Sequence, residues 1–213
     1  MKTFIALAAL LVTIASPAAP ADARDAQAKA AVEQVAAGRR FQVESSTFGD
    51  LDGDGIDDFA TFLGDPHGND DDEESLQVLV FKGRADGGFD LLARSGAIRV
   101  HERVSQLLQI RRGSLYLHRD GSDGCCGRWS EDFQFKRRDG PLMLVGIEQG
   151  NYHPQGVDQP DEGASVNLAT GQSEHWIGSG PHPKRRRHAV PGLKPVALDG
   201  FDYDKFTSDW PGL

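Results

Sequence analysis

Phe48-Gly-Asp50-Leu-Asp-Gly-Asp-Gly-Ile-Asp-Asp58-Phe-Ala-Thr-Phe-Leu63 decides how the rest of this chain is read. Its first half sets carboxylates at alternate positions and glycines at 53 and 55, a composition that curls a backbone tightly and does not sustain a helix. Its second half, Phe59 to Leu63, is a short apolar run of strand character, and Phe41 to Thr47 ahead of the loop reads the same way. The stretch therefore predicts two strands joined by an acidic loop.

Alternate carboxylates on a curled backbone suit a hard divalent cation. Ca²⁺ takes six to eight oxygens, at about 2.3–2.6 Å, from carboxylates, carbonyls and water. Counted from Asp50, carboxylates stand at the first, third and fifth places as Asp50, Asp52 and Asp54, and Gly55 at the sixth allows the sharp turn. Ile56 offers its backbone carbonyl at the seventh place, and Asp58 at the ninth closes the site directly or through water. Asp57 is expected outside the ligand set, supporting it. The plain alternative is a solvated Asp-Gly turn, and the spacing of the four carboxylates argues against it. Helix-flanked calcium loops end on a bidentate Glu at the twelfth place, which here is Thr61, so a helix–loop–helix sensor is not expected.

Working outward, short runs rich in Val, Ile, Phe, Tyr and Leu recur between Gly, Asp and Asn clusters. Further strands are expected at Leu76–Lys82, Gly88–Ser95, Val104–Arg111, Ser114–Arg119, Trp129–Lys136, Leu142–Gly150, Ala164–Asn167 and Gln172–Ile177. Arg84-Ala-Asp-Gly-Gly88, Arg111-Arg-Gly113 and Arg137-Arg-Asp-Gly140 read as hairpin connections, because Gly supplies positive φ cheaply. The fold class is mainly β: an antiparallel meander, as a curved sheet or sandwich of about ten strands. One short Ala-rich helix precedes it within residues 24–39, and the β-rich domain covers residues 40–177. Residues 178–213, broken by Pro181, Pro183, Pro191 and Pro195, are expected to form an irregular tail whose last part, Val196 to Phe206, returns to the body.

Phe48 to Leu63 resembles the single FG-GAP or VCBS-type repeats of bacterial secreted proteins, in which such a loop joins two strands. A longer resemblance, over most of residues 40–177, is to bacterial proteins that join such a loop to hairpins, to a segment like Arg128-Trp-Ser130 and to one like Val166-Asn-Leu-Ala-Thr-Gly171. It implies a β-rich fold and bound calcium, and no reaction. Such repeats come in arrays when they build propellers; with one good copy here, a complete propeller is not expected.

The N-terminus carries Lys2, an apolar run from Phe4 to Ile14, and small residues ending in Ala21-Asp-Ala23, the pattern of a cleavable secretory signal over residues 1–23. That run is shorter than the roughly 20 apolar residues a membrane span needs, so no transmembrane anchor is expected. The implied location is secreted, periplasmic or extracellular. The net charge of −9 favours cations and disfavours nucleic acid as a partner.

Cys125 and Cys126 are adjacent, and neighbouring Cα atoms lie about 3.8 Å apart, closer than disulfides favour. A strained vicinal disulfide, free or intermolecularly paired thiols, and a soft-metal site all stay open. Asn69-Asp-Asp-Asp-Glu-Glu74 lacks glycine spacing and reads as a solvated loop. Lys184, Arg185, Arg186 and Arg187 form a candidate patch for an anionic partner, with local charge neutralisation as the plainer reading. Trp129, Trp176 and Tyr152 are a candidate sugar platform, with core packing as the alternative. The seven His show no paired metal spacing, no Ser sits in a Gly-x-Ser-x-Gly elbow, and no catalytic residue is assigned. The leading expectation is an exported, noncatalytic calcium-binding protein of the envelope, partnered by an envelope protein or polysaccharide. The alternatives are an envelope-acting hydrolase using Asp132, Glu148 or Glu162, and a hydrolase inhibitor presenting the turn Gly127-Arg-Trp-Ser130.

Overall fold

The computed structural model describes residues 21–36, 42–64, 74–100, 104–122, 124, 127–137, 140–153, 159–179, 181–190, 192 and 194–208. Residues 1–20 of the expected signal, Cys125 and Cys126, and residues 69–73 of the acidic run lie outside them. No helix among the described residues is long and apolar enough to cross a membrane.

Among the described residues, helix α1 (Ala21–Ala36) is followed by twelve strands: β1 (Gln42–Gly49), β2 (Asp58–Gly64), β3 (Glu74–Gly83), β4 (Phe89–Arg94), β5 (Ile98–Val100), β6 (Val104–Arg111), β7 (Ser114–Ser122), β8 (Arg128–Arg137), β9 (Leu142–Tyr152), β10 (Glu162–Asn167), β11 (Gln172–Ile177) and β12 (Lys184–Ala189). A 3-10 turn (Leu198–Gly200) and helix α2 (Tyr203–Ser208) end the described chain. β1 to β4 run in order through a five-stranded sheet, with β5 pairing onto β3, and β6 to β12 run in order through a seven-stranded sheet. Every pairing is antiparallel, as short hairpin connections dictate. The expected meander is thus present twice, in two open sheets.

Alternation along the strands assigns their faces. Ala60 and Phe62 of β2, with Val78 and Val80 of β3, join Leu108, Leu115, Leu117, Phe133, Phe135 and Leu144 of the seven-stranded sheet in one core. Phe59, Leu63, Leu79 and Phe81 point the other way and meet Ala28, Ala31 and Val32 of α1. β2 and β3 are therefore buried on both faces. Ala28, Ala31 and Val32 at i, i+3 and i+4 make that docking feasible, since small side chains present a narrow face that can approach the Phe-rich surface closely. The β6–β7 connection is a tight two-residue turn, with Arg112 at φ 50° and Gly113 at φ 67°.

All ten expected strands are present, and two were missed. β5 is only three residues long and pairs with the start of β3. β12 corrects the expectation of an irregular tail: Lys184 to Ala189 pairs along its whole length with β11, from Ile177↔Lys184 to Gln172↔Ala189. It has no apolar alternation to read, because all six residues are exposed. Cross-strand charge holds it instead. Glu174 of β11 accepts from Arg187 Nε at 2.6 Å and from the Arg185 guanidinium.

The last segment does return to the body. Phe201 is fully buried, with ring centroids 5.4 Å from Phe133 and 5.2 Å from Phe135. Backbone bonds fix it there: Leu144 N–H donates to the Val196 carbonyl at 2.7 Å, and Gly96 N–H to the Phe201 carbonyl at 3.0 Å.

Candidate metal centre

The acidic loop spans the end of the β1–β2 hairpin, whose last ladder positions pair Phe48 with Phe59 and Gly49 with Asp58. The Phe48 and Phe59 rings, 5.0 Å apart, close its base, and Leu51, 3 % exposed, anchors it in the core. Beyond that anchor the carboxylates fold inward onto backbone amides. Asp50 Oδ1 accepts from Gly53 N–H at 2.6 Å and Asp52 N–H at 3.2 Å, and its Oδ2 accepts from Gly55 N–H at 2.9 Å. Asp54 Oδ1 accepts from Ile56 N–H at 2.9 Å. Gly53 and Gly55, at φ 80° and 81°, supply the left-handed backbone this curl requires.

Asp58 is the pivot. It is 1 % exposed; its Oδ2 accepts from Leu51 N–H and its Oδ1 from Gly83 N–H, each at 2.9 Å. One carboxylate thus ties the loop to the end of β3. Gly83 is required there, since a Cβ would lie 2.2 Å from the Asp57 carbonyl oxygen. Burial raises the Asp58 pKa, the two amides act against that, and the charges of Asp52 and Asp54 add to it.

Donor oxygens of Asp50, Asp52 and Asp58 lie within 4.8 Å of one another. Asp54, expected beside them, is instead paired with Lys82 Nζ at 2.9 Å, and that ammonium, with the Ile56 amide next, holds its pKa below the ordinary value. Lys82 also pairs with Asp52, as does Arg137 from β8 of the other sheet. Ile56 lies within the loop, half-buried, with its N–H donated to Asp54. Asp57 is turned outward and pairs with Arg24 of α1 at 3.1 Å.

The donor set fits a hard cation chemically, being all oxygen. Each carboxylate oxygen that accepts one N–H keeps a further lone pair. A cation would share Asp52 with Lys82 and Arg137. Neither of these was singled out in the sequence; they lie 30 and 85 residues from Asp52, and no local pattern signals them.

The other candidate constellations separate. Asp132 and Glu148 are directly opposed on β8 and β9, on the outer face of the seven-stranded sheet, where His118 Nδ1 lies 3.0 Å from Asp132. Strand parity puts Glu162 on the opposite face, where it lines an open cavity of about 390 Å³ with Trp129, Asn151 and His153. The three acids therefore share no site. Parity also divides the aromatics: Tyr152 and Trp176, centroids 6.1 Å apart, lie on the outer face and Trp129 on the other. Arg128-Trp-Ser130 is the start of β8, not a projecting turn. Compared with protein-family models, curated proteins and solved structures, the chain matches none of them.

Proposed function

We propose that this chain is an exported, noncatalytic protein of the envelope in which the Asp50–Asp58 loop holds one Ca²⁺ as a structural brace. The observation that carries the reading is the convergence of Asp50, Asp52 and Asp58 within 4.8 Å at the end of a hairpin, with Asp58 buried. Asp50, Asp52, Asp58 and the Ile56 carbonyl are the proposed ligands, water completes the shell, and Asp54 joins when Lys82 releases it. This arrangement agrees with the resemblance to single FG-GAP or VCBS-type repeats, in which the loop joins two strands. The ion would neutralise a dense carboxylate group and stiffen the corner where β1, β2 and β3 meet. At ten times its Kd it would contribute about 1.4 kcal/mol by mass action.

Calorimetric titration of the purified protein with CaCl₂ is expected to show one site, and chelation is expected to lower Tm. Absence of both heat and a chelator-induced shift removes the reading. The hydrolase reading ranks below it because Asp132, Glu148 and Glu162 do not converge.

A further inference from the structure

β12 sorts the basic cluster by strand parity. Arg185 and Arg187 stand opposite Trp176 and Glu174, on the outer face, and both pair with Glu174. Lys184, Arg186 and His188 stand on the other face, opposite Ile177, His175 and Ser173. Neither Lys184 nor Arg186 has an ion pair among the described residues, and all three side chains are exposed. Alternate residues of a strand lie about 6.6–6.8 Å apart, so this face carries a straight row of basic groups at even spacing. The strand is the outermost of its sheet, so the row runs along an open edge.

Neighbouring rows sharpen the contrast. On the three strands nearest β12, His175, Ala164 and Gln149 lie across from Arg186, and Ser173, Val166 and Ile147 across from His188, none of them a carboxylate; the first carboxylate in either row is Glu131 on β8, four strands from Arg186. Glu162 stands in the Lys184 row, two strands away, about 10 Å at ordinary strand spacing. In a chain of net charge −9, this is a local reversal of sign confined to one face of one strand. Charges placed only to keep an edge from pairing with another chain would need no such division.

We infer that the Lys184–Arg186–His188 face of β12 binds an anionic polysaccharide laid along the sheet edge. A single row of charges matches a linear polyanion of modest charge density. A bilayer surface would call for a broader basic face with aromatic anchors around it. Duplex nucleic acid, with one charge per about 1.7 Å of axis, would be repelled more strongly by the acidic remainder of the chain. The inference is independent of the calcium reading.

The test compares sequence neighbours that differ in face. An end-labelled octagalacturonate, with one carboxylate per sugar, is titrated with wild-type protein, with Arg186→Gln, with Lys184→Gln/Arg186→Gln and with Arg187→Gln by fluorescence anisotropy at low ionic strength, in chelator. Saturable binding that weakens steeply with salt is expected. Arg186→Gln should weaken it roughly fivefold and Lys184→Gln/Arg186→Gln more than about tenfold, while Arg187→Gln should change it by less than about twofold. Arg185 still holds Glu174 in the last variant, and matched Tm values certify all three. Equal losses from Arg186→Gln and Arg187→Gln, or no saturable binding, overturn the proposal. So does preferential binding, through the same two side chains, to phosphatidylcholine–phosphatidylglycerol vesicles or to duplex DNA.

Discussion

The acidic loop and the basic strand are the two densest charge runs among the described residues, and the structure treats them in opposite ways. In Asp50–Asp58 the carboxylates turn onto backbone amides, and one of them is buried between β1, β2 and β3. In Lys184–Ala189 the side chains stay in water and the strand is held by its ladder and one carboxylate. Carboxylates accept from N–H groups, so a glycine-rich turn can organise them internally, whereas Lys and Arg donate only and need an acceptor from elsewhere. The loop is therefore part of the central packing, and β12 is an attachment to its rim.

The sharpest way to break this contrast is Asp58→Ala. It strands the N–H groups of Leu51 and Gly83, each costing about 1–3 kcal/mol when buried without an acceptor, so urea unfolding should show a loss of about 2–6 kcal/mol. A loss no greater than that of an exposed-site substitution would place the loop with β12 at the periphery. Next in size is Lys82→Met. On the calcium reading the ammonium and the ion compete for Asp52 and Asp54, so this variant should bind Ca²⁺ about tenfold more tightly in a calorimetric titration. Unchanged affinity would mean that Lys82 stays in place beside the bound ion. Smaller still is Glu174→Gln, which should leave Tm unchanged. It should speed amide exchange in β12 alone; slowed or unaltered exchange there would show that the backbone ladder suffices.

The least effect is expected from pH. Arg187, and then Arg185, hold the Glu174 carboxyl below its ordinary pKa. A lowered folded pKa means that the carboxylate's contribution is intact above the ordinary carboxylate range and is lost as pH falls through the lowered value. Protection of the β12 amides, taken relative to an unstructured chain at the same pH, should therefore fall as pH drops below the ordinary carboxylate range, before the doubly buried β2 and β3 respond.

The same contrast explains what could be read in the sequence. β2 and β3 were visible because burial on both faces demands nearly continuous apolar runs, as in Phe59-Ala-Thr-Phe-Leu63. β6 was visible to its ends because the tight turn at Arg112 and Gly113 fixes one of them. β12 was invisible because nothing in Lys-Arg-Arg-Arg-His-Ala alternates in polarity, and its acceptor, Glu174, is 11 and 13 residues away from Arg185 and Arg187. Within the loop, the positions of Asp50, Asp52 and Asp58 follow from local spacing. The capture of Asp54 by Lys82, and the reach of Arg137 across from the other sheet, depend on tertiary packing that spacing does not encode.

The clasp made by Asp58 also has a kinetic side. Its two amide partners lie 7 and 25 residues away, so everything it joins is contained between Leu51 and Gly83. The C-terminal segment is fixed by bonds such as that from Arg94 N–H to Asp199, which closes a separation of 105 residues. Short loops close at smaller entropic cost, which favours assembly of the β1–β3 corner first and docking of Phe201 last. On that hypothesis, pulse-labelled exchange during refolding would protect Leu51 and Gly83 amides before that of Gly96, whose acceptor is Phe201. Simultaneous protection would show that the two sheets condense as one unit.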